Sequence, residues 1–525
     1  MGIIRSVATV GGYTMGSRVL GFVRDVLIAR AIGTSPVADA FFVALRYPNM
    51  FRSLFAEGAF NSAFVPQFAR RVEGEGLAAA KAFAEQVLSV LLVTLLVFTV
   101  AAQIGMPWLI YLIASGFAND PERLDLSILF TQITFPYLLF MSLTALQGGV
   151  LNSLHRFGQA AAAPILLNVV MILALVAVEP FTGMPGHVLA WAVAVAGVGQ
   201  FLWMAIACHR AGVALRLPVP RLTPDVRRFL KLMLPGIVGA GVMQMNLIVG
   251  TQIASWLEDG SISYLYYADR IYQLPLGVIG AALGVVLLPE LSRALRGGRD
   301  GEANNHLNRG LEYAALLTLP ATVALVVVPF PIIVGVYEHG AFTREASAAT
   351  AAALAAYSVG LPAYVLAKAL TTCFFAREDT ATPFRFGVVS MVANAALSLA
   401  LFPVLAHVGI ALATALASWL NVAMLGGRLR RDRHLALDGR LRGRLWRILF
   451  ASAGMGAILW LAGRYLVGAF DGPLHVKVLA LAGLVGAGLA AYCVLALAIG
   501  AVRLSDLRRG GLRPGGPEAG EGGAA

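Results

Sequence analysis

The chain is built from long apolar runs that are separated by short clusters of charged, glycine and proline residues. A helix of about 20 apolar residues crosses the hydrocarbon core of a bilayer, and the length of the chain allows about 14 such helices with short connections. The predicted spans lie near residues 3–29, 36–69, 83–113, 126–154, 160–178, 187–207, 232–256, 263–292, 310–336, 346–375, 384–405, 408–427, 448–466 and 478–502. The pattern predicts an all-α polytopic membrane protein.

Composition and charge agree with this prediction. Of 525 residues, 58% are hydrophobic and 13% are charged, whereas soluble domains carry about a quarter charged residues. The net charge of +12 would suggest nucleic-acid binding in a soluble protein, but here 29 Lys or Arg fall in one set of alternate loops and five in the other. This asymmetry predicts an inserted membrane protein with both termini in the cytoplasm and no nucleic-acid partner.

The sequence contains a weak internal repeat. Ala38–Asp39 in span 2 is matched by Ala268–Asp269 in span 8, and Asn168 in span 5 is matched by Asn394 in span 11. Both halves begin on the same side of the membrane, so we expect a parallel repeat with a site between the halves. The predicted domains are an N-lobe at 1–215 with spans 1–6, a C-lobe at 225–430 with spans 7–12, spans 13–14 at 445–503, and a disordered cytoplasmic tail at 504–525.

Six basic residues lie inside predicted spans, when Arg5 and Arg385 in the first turns of spans 1 and 11 are counted with the loops. They are Arg18, Arg24, Arg46, Arg52, Arg270 and Lys368. Each charge costs about 2.5–3.5 kcal/mol at the centre of an inserted helix, so such residues normally line a water-filled cavity or pair with an acid. The acids in the same spans are Asp25, Asp39, Glu57 and Asp269, with Glu290 at a cytoplasmic end left aside. Bases outnumber acids, so we expect a cavity with net positive charge.

Two interpretations of these charges remain open. In the first interpretation, the charges form structural ion pairs. The pairs are Arg18 with Asp25, Arg46 with Asp39 and Arg270 with Asp269. In the other they bind an anion, because Arg24 and Arg52 have no acid left to pair with. Arginine grips phosphate through paired donors, which favours a phosphorylated ligand.

Metal, cofactor and catalytic sites are not predicted. The eight histidines lack metal-ligand spacing, the three cysteines are far apart, and no glycine-rich phosphate loop is present. Spans 11 and 12 contain no Asp or Glu, so we do not expect a sodium site of the carboxylate type there.

Several motifs in order carry a resemblance to a known family. They are Ser17–Asp25 (SRVLGFVRD), Ala38–Ala44 (ADAFFVA), Phe55–Phe60 (FAEGAF) and Tyr267–Arg270 (YADR). The chain resembles the MurJ (MviN) lipid II flippases, and the resemblance covers essentially its whole length. It implies the MOP exporter fold, with two lobes around a V-shaped central cavity and a hydrophobic groove on spans 13 and 14.

The resemblance also implies a function without bond cleavage, so not that of an enzyme. Lipid II, which is undecaprenyl-diphosphate-MurNAc-pentapeptide-GlcNAc, moves from the cytoplasmic to the periplasmic leaflet by alternating access, for peptidoglycan synthesis. The residues implied to bind substrate are Arg18, Arg24, Arg52 and Arg270, with Arg46 where the family often has lysine. Those implied to gate or form ion pairs are Asp25, Asp39, Glu57 and Asp269.

Three alternatives remain. A drug or cation antiporter on the same fold would need acids facing its cation, and the excess of bases argues against it. A flippase for another polyprenyl-diphosphate saccharide would use the same arginines. A non-transporting scaffold would recruit cell-wall synthesis or division proteins through basic loops such as residues 428–447 and would tolerate loss of the cavity charges. Beyond such proteins, the expected partners are lipid II and membrane lipids.

Overall fold

The structure is a computed structural model that describes residues 3–50 and 59–502, and these residues form helices and no strands. The helices are α1 (Ile3–Ile32), α2 (Pro36–Ala44), α3 (Ala59–Gly74), α4 (Leu77–Ile104), α5 (Met106–Ala114), α6 (Pro121–Thr134), α7 (Tyr137–Ser153), α8 (Phe157–Leu173), α9 (Glu179–Thr182), α10 (Pro185–Arg210), α11 (Pro224–Ala254), α12 (Ser261–Arg296), α13 (Asp300–Val327), α14 (Pro329–Tyr337), α15 (Arg344–Ser358), α16 (Leu361–Phe375), α17 (Ala381–Arg431), α18 (Gly439–Tyr465) and α19 (Leu474–Ala498). The predicted all-α class is confirmed.

Nine helices within the described ranges are long and apolar enough to cross a membrane. Helix α17 is one of these nine but covers predicted spans 11 and 12, with a break at Ala406, whose φ of 47° and ψ of −133° are not helical. Predicted spans 1, 2, 7 and 8 are not among the nine. Spans 1, 2 and 8 are those that carry most of the intramembrane charges, which lower their hydropathy. The count of 14 therefore stays a prediction.

Helix starts follow from local sequence. Pro121 and Pro224 occupy the first turns of α6 and α11, where no amide hydrogen is needed. The side chain of Thr223 accepts a hydrogen bond from the first turn of α11, and that of Asp438 accepts one from the amide of Leu441 at 2.6 Å in α18. These residues satisfy backbone donors that have no partner within the helix.

The chain divides into two compact units, which do not coincide with the predicted lobes. Unit 1 comprises Met1–Ile271, Val336–Tyr357 and Val388–Ala417, and unit 2 comprises Tyr272–Gly335, Ser358–Gly387 and Ser418–Ala525. The predicted lobes, and the groove on spans 13 and 14, stay predictions. The predicted tail at 504–525 lies outside the described residues.

An aromatic core holds α3, α4 and α11 together in unit 1. Phe60 and Phe64 stack at 5.3 Å between ring centroids, and Phe64 stacks on Phe83 of α4 at 5.8 Å. The ring of Phe229 in α11 meets Phe60 edge-on at 5.4 Å. Edge-to-face and offset contacts of this kind are favourable for aromatic rings beyond the area they bury.

Two glycines interlock the end of α1 with the loop before α15, also in unit 1. The amide of Ala341 donates to the carbonyl of Arg30 at 2.9 Å. Gly33 and Gly340 have φ of 57° and 65°, and a Cβ on either would overlap backbone atoms of the other segment. Only glycine adopts this backbone readily and allows the close approach.

Unit 2 is held at one end by a buried carboxylate. Glu312 on α13, which is 2% exposed, pairs with Arg309, with Arg444 and with Arg440, the last at 3.5 Å. One turn further along α13, the hydroxyl of Tyr492 on α19 donates to the carbonyl of Leu316 at 2.7 Å. These bonds fasten α18 and α19 to α13.

Substituting Gly33→Ala should lower the unfolding temperature of the purified protein by at least about 1–2 °C. The left-handed backbone costs alanine about 1–2 kcal/mol, and the methyl group would press on the Ala341 carbonyl. Gly11→Ala is the control, because Gly11 lies on α1, which ends next to Gly33, with nothing within 4 Å of an added Cβ. Equal unfolding temperatures for the two variants in a thermal scan would contradict the interlock.

Candidate functional site

Asp39 is a fully buried carboxylate in the first turn of α2. It accepts hydrogen bonds from the amides of Gly260 and Ser263 at 2.8 and 2.9 Å and from the hydroxyl of Ser263 at 2.6 Å. Gly260 has φ of 88°, and a Cβ there would lie 2.9 Å from the carbonyl oxygen of Thr34. The loop before α12 is therefore shaped to bring its amides onto this carboxylate.

Arg123 completes this arrangement from α6. Its Nη2 donates to Asp39 at 3.0 Å and its Nη1 to Asp259 at 2.6 Å, while its guanidinium lies 4.1 Å from the centroid of the Phe117 ring. Only 4% of Arg123 is exposed. We call Asp39, Arg123, Asp259, Gly260 and Ser263 the Asp39 network. It joins α2, α6 and the start of α12 within unit 1.

Arg123 is not among the predicted site residues, because it lies between predicted spans 3 and 4. The residue stands in the first turn of α6, where the positive end of the helix dipole opposes a cation unless carboxylates offset it. Asp120, the N-cap of α6, lies 3.8 Å away and Asp259 lies across the loop. An arginine two residues after an Asp-Pro cap was thus the available signal.

Arg24 and Asp25 form a second polar group on α1. Arg24 donates to Asp25 through Nε at 3.0 Å and through Nη2 at 2.7 Å, and its Nη1 donates to Asn168 of α8 at 2.9 Å. Asn168 in turn donates to the carbonyl of Ser17 at 2.9 Å. The guanidinium is therefore fixed on two sides, with 16% of the side chain exposed.

Tyr266 connects Arg24 and Asp25 to further charges. Its hydroxyl donates to Asp25 at 3.3 Å, and the guanidinium of Arg270 lies 4.7 Å from its ring centroid. Arg46 interacts electrostatically with Asp269 and Arg270. The Nε atoms of Arg46 and Arg270 are buried and have no hydrogen-bond partner within the described ranges. We call Arg24, Asp25, Arg46, Tyr266, Asp269 and Arg270 the arginine group.

An aromatic layer lies beside Tyr266, between the arginine group and the Asp39 network. Phe42 stacks on Tyr266 with 3.8 Å between centroids, and Tyr267 packs edge-on against Phe42 and Phe342. Ser263 and Arg270 are seven residues apart on α12, which is about 10 Å along a helix. Unit 1 therefore has a buried polar network, then buried rings, then partly buried cationic side chains.

The repeat has a counterpart in these contacts. Asn168 in α8 accepts from Arg24 in α1, and Asn394 in α17 donates to Asn246 in α11 at 2.7 Å. Each asparagine thus bonds the first helix of its own half. The first half places an arginine at this contact, whereas the second half places an asparagine there.

Comparison with known proteins decides the family. The family described as "Lipid II flippase MurJ" matches residues 28–480. "Probable lipid II flippase MurJ" of Rhizobium tropici is 47% identical over 502 residues, covering 94% of each chain. "Lipid II flippase MurJ" of Burkholderia cenocepacia is 37% identical over 435 residues, covering 82% of this chain and 84% of its own. The chain belongs to the MurJ lipid II flippase family.

Solved structures agree with membership in the MurJ family. The structure described as "Lipid II flippase MurJ, inward closed conformation" aligns with a TM-score of 0.76 at 26% identity, over 93% of this chain and 97% of its own. An inward-facing multidrug resistance MATE transporter of the MOP superfamily aligns with a TM-score of 0.66 at 16% identity, over 80% of this chain and 95% of its own. The predicted MOP-type fold is confirmed, and the chain is an integral membrane protein.

The ion pairs suggested by helical spacing are partly wrong. Asp25 pairs with Arg24 and not with Arg18, because adjacent side chains on α1 reach each other directly. Asp39 pairs with Arg123 and not with Arg46, since α2 ends at Ala44 and the seven-residue spacing does not continue along one helix. The prediction that Arg24 has no acidic partner is therefore wrong, because Arg24 pairs with Asp25.

The other predicted site residues have three outcomes. Arg46, Asp269 and Arg270 come together in the arginine group. Arg18 lies exposed on α1, and Lys368 lies exposed on α16 in unit 2. Arg52 and Glu57 fall outside the described residues.

Arg123→Met should destabilise the protein strongly, because it leaves the buried Asp39 carboxylate without its cation. Removing one partner of a buried pair costs about 3–5 kcal/mol. The double variant Asp39→Asn with Arg123→Met should cost less than the sum of the single variants by about 1–3 kcal/mol in a double-mutant cycle of unfolding.

Arg344→Met serves as the control, because its ion pair with Glu338 is 43% exposed on the arginine side. Such surface pairs contribute about 1 kcal/mol or less. Strictly additive effects at Asp39 and Arg123 would show that the two side chains are not coupled.

Proposed function

We propose that this chain is a lipid II flippase of the bacterial inner membrane, with both termini in the cytoplasm. It moves undecaprenyl-diphosphate-MurNAc-pentapeptide-GlcNAc from the cytoplasmic to the periplasmic leaflet for peptidoglycan synthesis. Membership in the MurJ family supports the cargo. The arginine group supports the chemistry of recognition. Transport of this kind breaks no bond, so the chain acts as a transporter and not as an enzyme.

The observation that carries the proposal is the concentration of guanidinium groups in a membrane-spanning unit. Arg24 is oriented by Asp25 and Asn168, and Arg46 and Arg270 retain buried Nε donors without a partner. Unsatisfied donors on a cation are unfavourable in a low-dielectric site, and an anionic ligand relieves this cost. A diphosphate has the charge and the oxygen geometry to accept from several arginines at once.

We assign the diphosphate contacts to Arg18, Arg24, Arg46, Arg52 and Arg270. Arg18 is exposed seven residues before Asp25, so it lies on the same face of α1, about 10 Å away along the helix. Arg52 is included because of its position in the sequence alone. The aqueous path for the headgroup is lined by cations, while the prenyl chain stays in lipid.

The Asp39 network is the proposed gate at the periplasmic end. Opening that end must separate Asp39 from Arg123 and from the Gly260–Ser263 loop, which breaks four hydrogen bonds to one buried carboxylate. A ligand shifts such an equilibrium only by binding one state more tightly than the other. Asp25 and Asp269 compete with the diphosphate for the arginines, so binding of the substrate changes the ion pairs within the arginine group. Such a change can act on the gate through α12. Glu57 is assigned the same role from its position in the sequence alone.

The experiment is complementation of a strain depleted of its own lipid II flippase. Wild type should restore growth, while Arg24→Ala and Arg270→Ala should fail at equal membrane levels, because each removes a diphosphate contact. Arg428→Ala is the matched control, since this exposed arginine lies outside the arginine group and pairs with Asp432 four residues away.

Each alternative predicts a different result. A scaffold would tolerate Arg24→Ala and Arg270→Ala and would depend on the basic loop that contains Arg428. A flippase for another polyprenyl-diphosphate saccharide would fail to rescue lipid II depletion but would rescue loss of that saccharide's own transporter. Rescue of the lipid II strain by all variants would contradict transport through the arginine group.

A further inference from the structure

Unit 2 contains a deep apolar groove that the proposed transport path does not use. It has a volume of about 430 Å³ and is lined by side chains of α13, α16, α17 and α18 and of the segment between α17 and α18. Its floor is formed by buried leucines, among them Leu311, Leu370 and Leu441. We call it the α17 groove.

The groove follows the last part of α17 from Trp419 to Arg430. These residues are 11 positions apart, which is about 16 Å along a helix. The hydrocarbon core of a bilayer is about 30 Å thick, so the groove has the depth of one leaflet. Trp419 lines the end of the groove away from Arg430, and its indole N–H donates to the carbonyl of Val359 at 3.0 Å.

Arg430 gives the groove a cationic mouth. It is the charged residue among the lining side chains, and it stands at the end of α17 that the distribution of basic residues assigns to the cytoplasm. The neighbouring Arg428 is engaged by Asp432 at 2.8 Å, and Arg440 and Arg444 are engaged by Glu312. Among the described residues no carboxylate pairs with Arg430.

Two glycines leave the wall of the groove open. A Cβ on Gly426 would meet only the end of Leu370, at 3.9 Å, and a Cβ on Gly427 would meet nothing within 4 Å. Glycine inside a helix is unfavourable by about 1 kcal/mol relative to alanine, and neither position has a close contact that requires it. The missing side chains therefore widen a slot beside Arg430.

We propose that the α17 groove binds an anionic phospholipid of the cytoplasmic leaflet, with one acyl chain in the slot and the phosphate on Arg430. The length of one leaflet fits an acyl chain. The apolar lining suits hydrocarbon, and the arginine at the membrane surface selects a negative headgroup. The bound lipid fills the space between α13, α16 and α17.

The test uses the full-length protein, freed of lipid in detergent and titrated with dioleoyl phosphatidylglycerol or dioleoyl phosphatidylcholine. The rise in unfolding temperature reports binding. Wild type should bind phosphatidylglycerol about fivefold more tightly than phosphatidylcholine. One arginine near an anionic lipid surface contributes about 1 kcal/mol of binding free energy, which corresponds to this ratio of affinities. Arg430→Gln should remove this preference, whereas Arg431→Gln, at an exposed position outside the lining, should retain it.

A second variant tests the slot itself. Gly426→Leu combined with Gly427→Leu fills the groove from open positions, so it should keep or raise the unfolding temperature without lipid and reduce the response to both lipids. Three outcomes would overturn the proposal: an unchanged preference in Arg430→Gln, full lipid response in the filled variant, or stronger binding of undecaprenyl phosphate than of phosphatidylglycerol at this groove. The last would assign the groove to a prenyl chain.

Discussion

The cost of placing charge inside a bilayer constrains the rest of this structure. A guanidinium in a spanning helix is tolerated only where protein, water or an anion replaces the hydration that it loses. Asp25 and Asn168 hold Arg24, whereas Arg46 and Arg270 keep donors for which the described residues offer no acceptor. The described part of the fold therefore stabilises a cationic site only in part, and we propose that an anionic headgroup supplies the remainder.

The proposed gate differs from the arginine group, because its buried carboxylate accepts as many hydrogen bonds as it can. Asp39 draws α2, α6 and the loop before α12 together, and the rings of Phe42 and Tyr267 cover the space next to it. A closure made of many bonds to one group opens cooperatively, since losing one bond exposes the others. The arginine group and the Asp39 network share α12, so a shift of that helix changes both.

Sequence reasoning predicted the class of fold and the residues that carry charge, because hydropathy and intramembrane charge are local properties of the chain. It paired those residues poorly. Helical spacing linked Asp39 to Arg46, but α2 ends at Ala44 and the true partner, Arg123, lies 84 positions away. Asn168 appeared as a repeat marker, and its role in orienting Arg24 depends on how α1 packs against α8. Contacts between distant segments need the tertiary structure.

We propose that the arginine group moves a polyprenyl-diphosphate headgroup across the membrane. The most direct measurement is the rate at which a fluorescent lipid II becomes accessible to a membrane-impermeant quencher in proteoliposomes containing the full-length protein. We expect protein-dependent transfer that is abolished by combining Arg24→Ala with Arg270→Ala, and no transfer of a lipid that lacks the diphosphate. Transfer that persists in that double variant, or that accepts the lipid without the diphosphate equally, would contradict it.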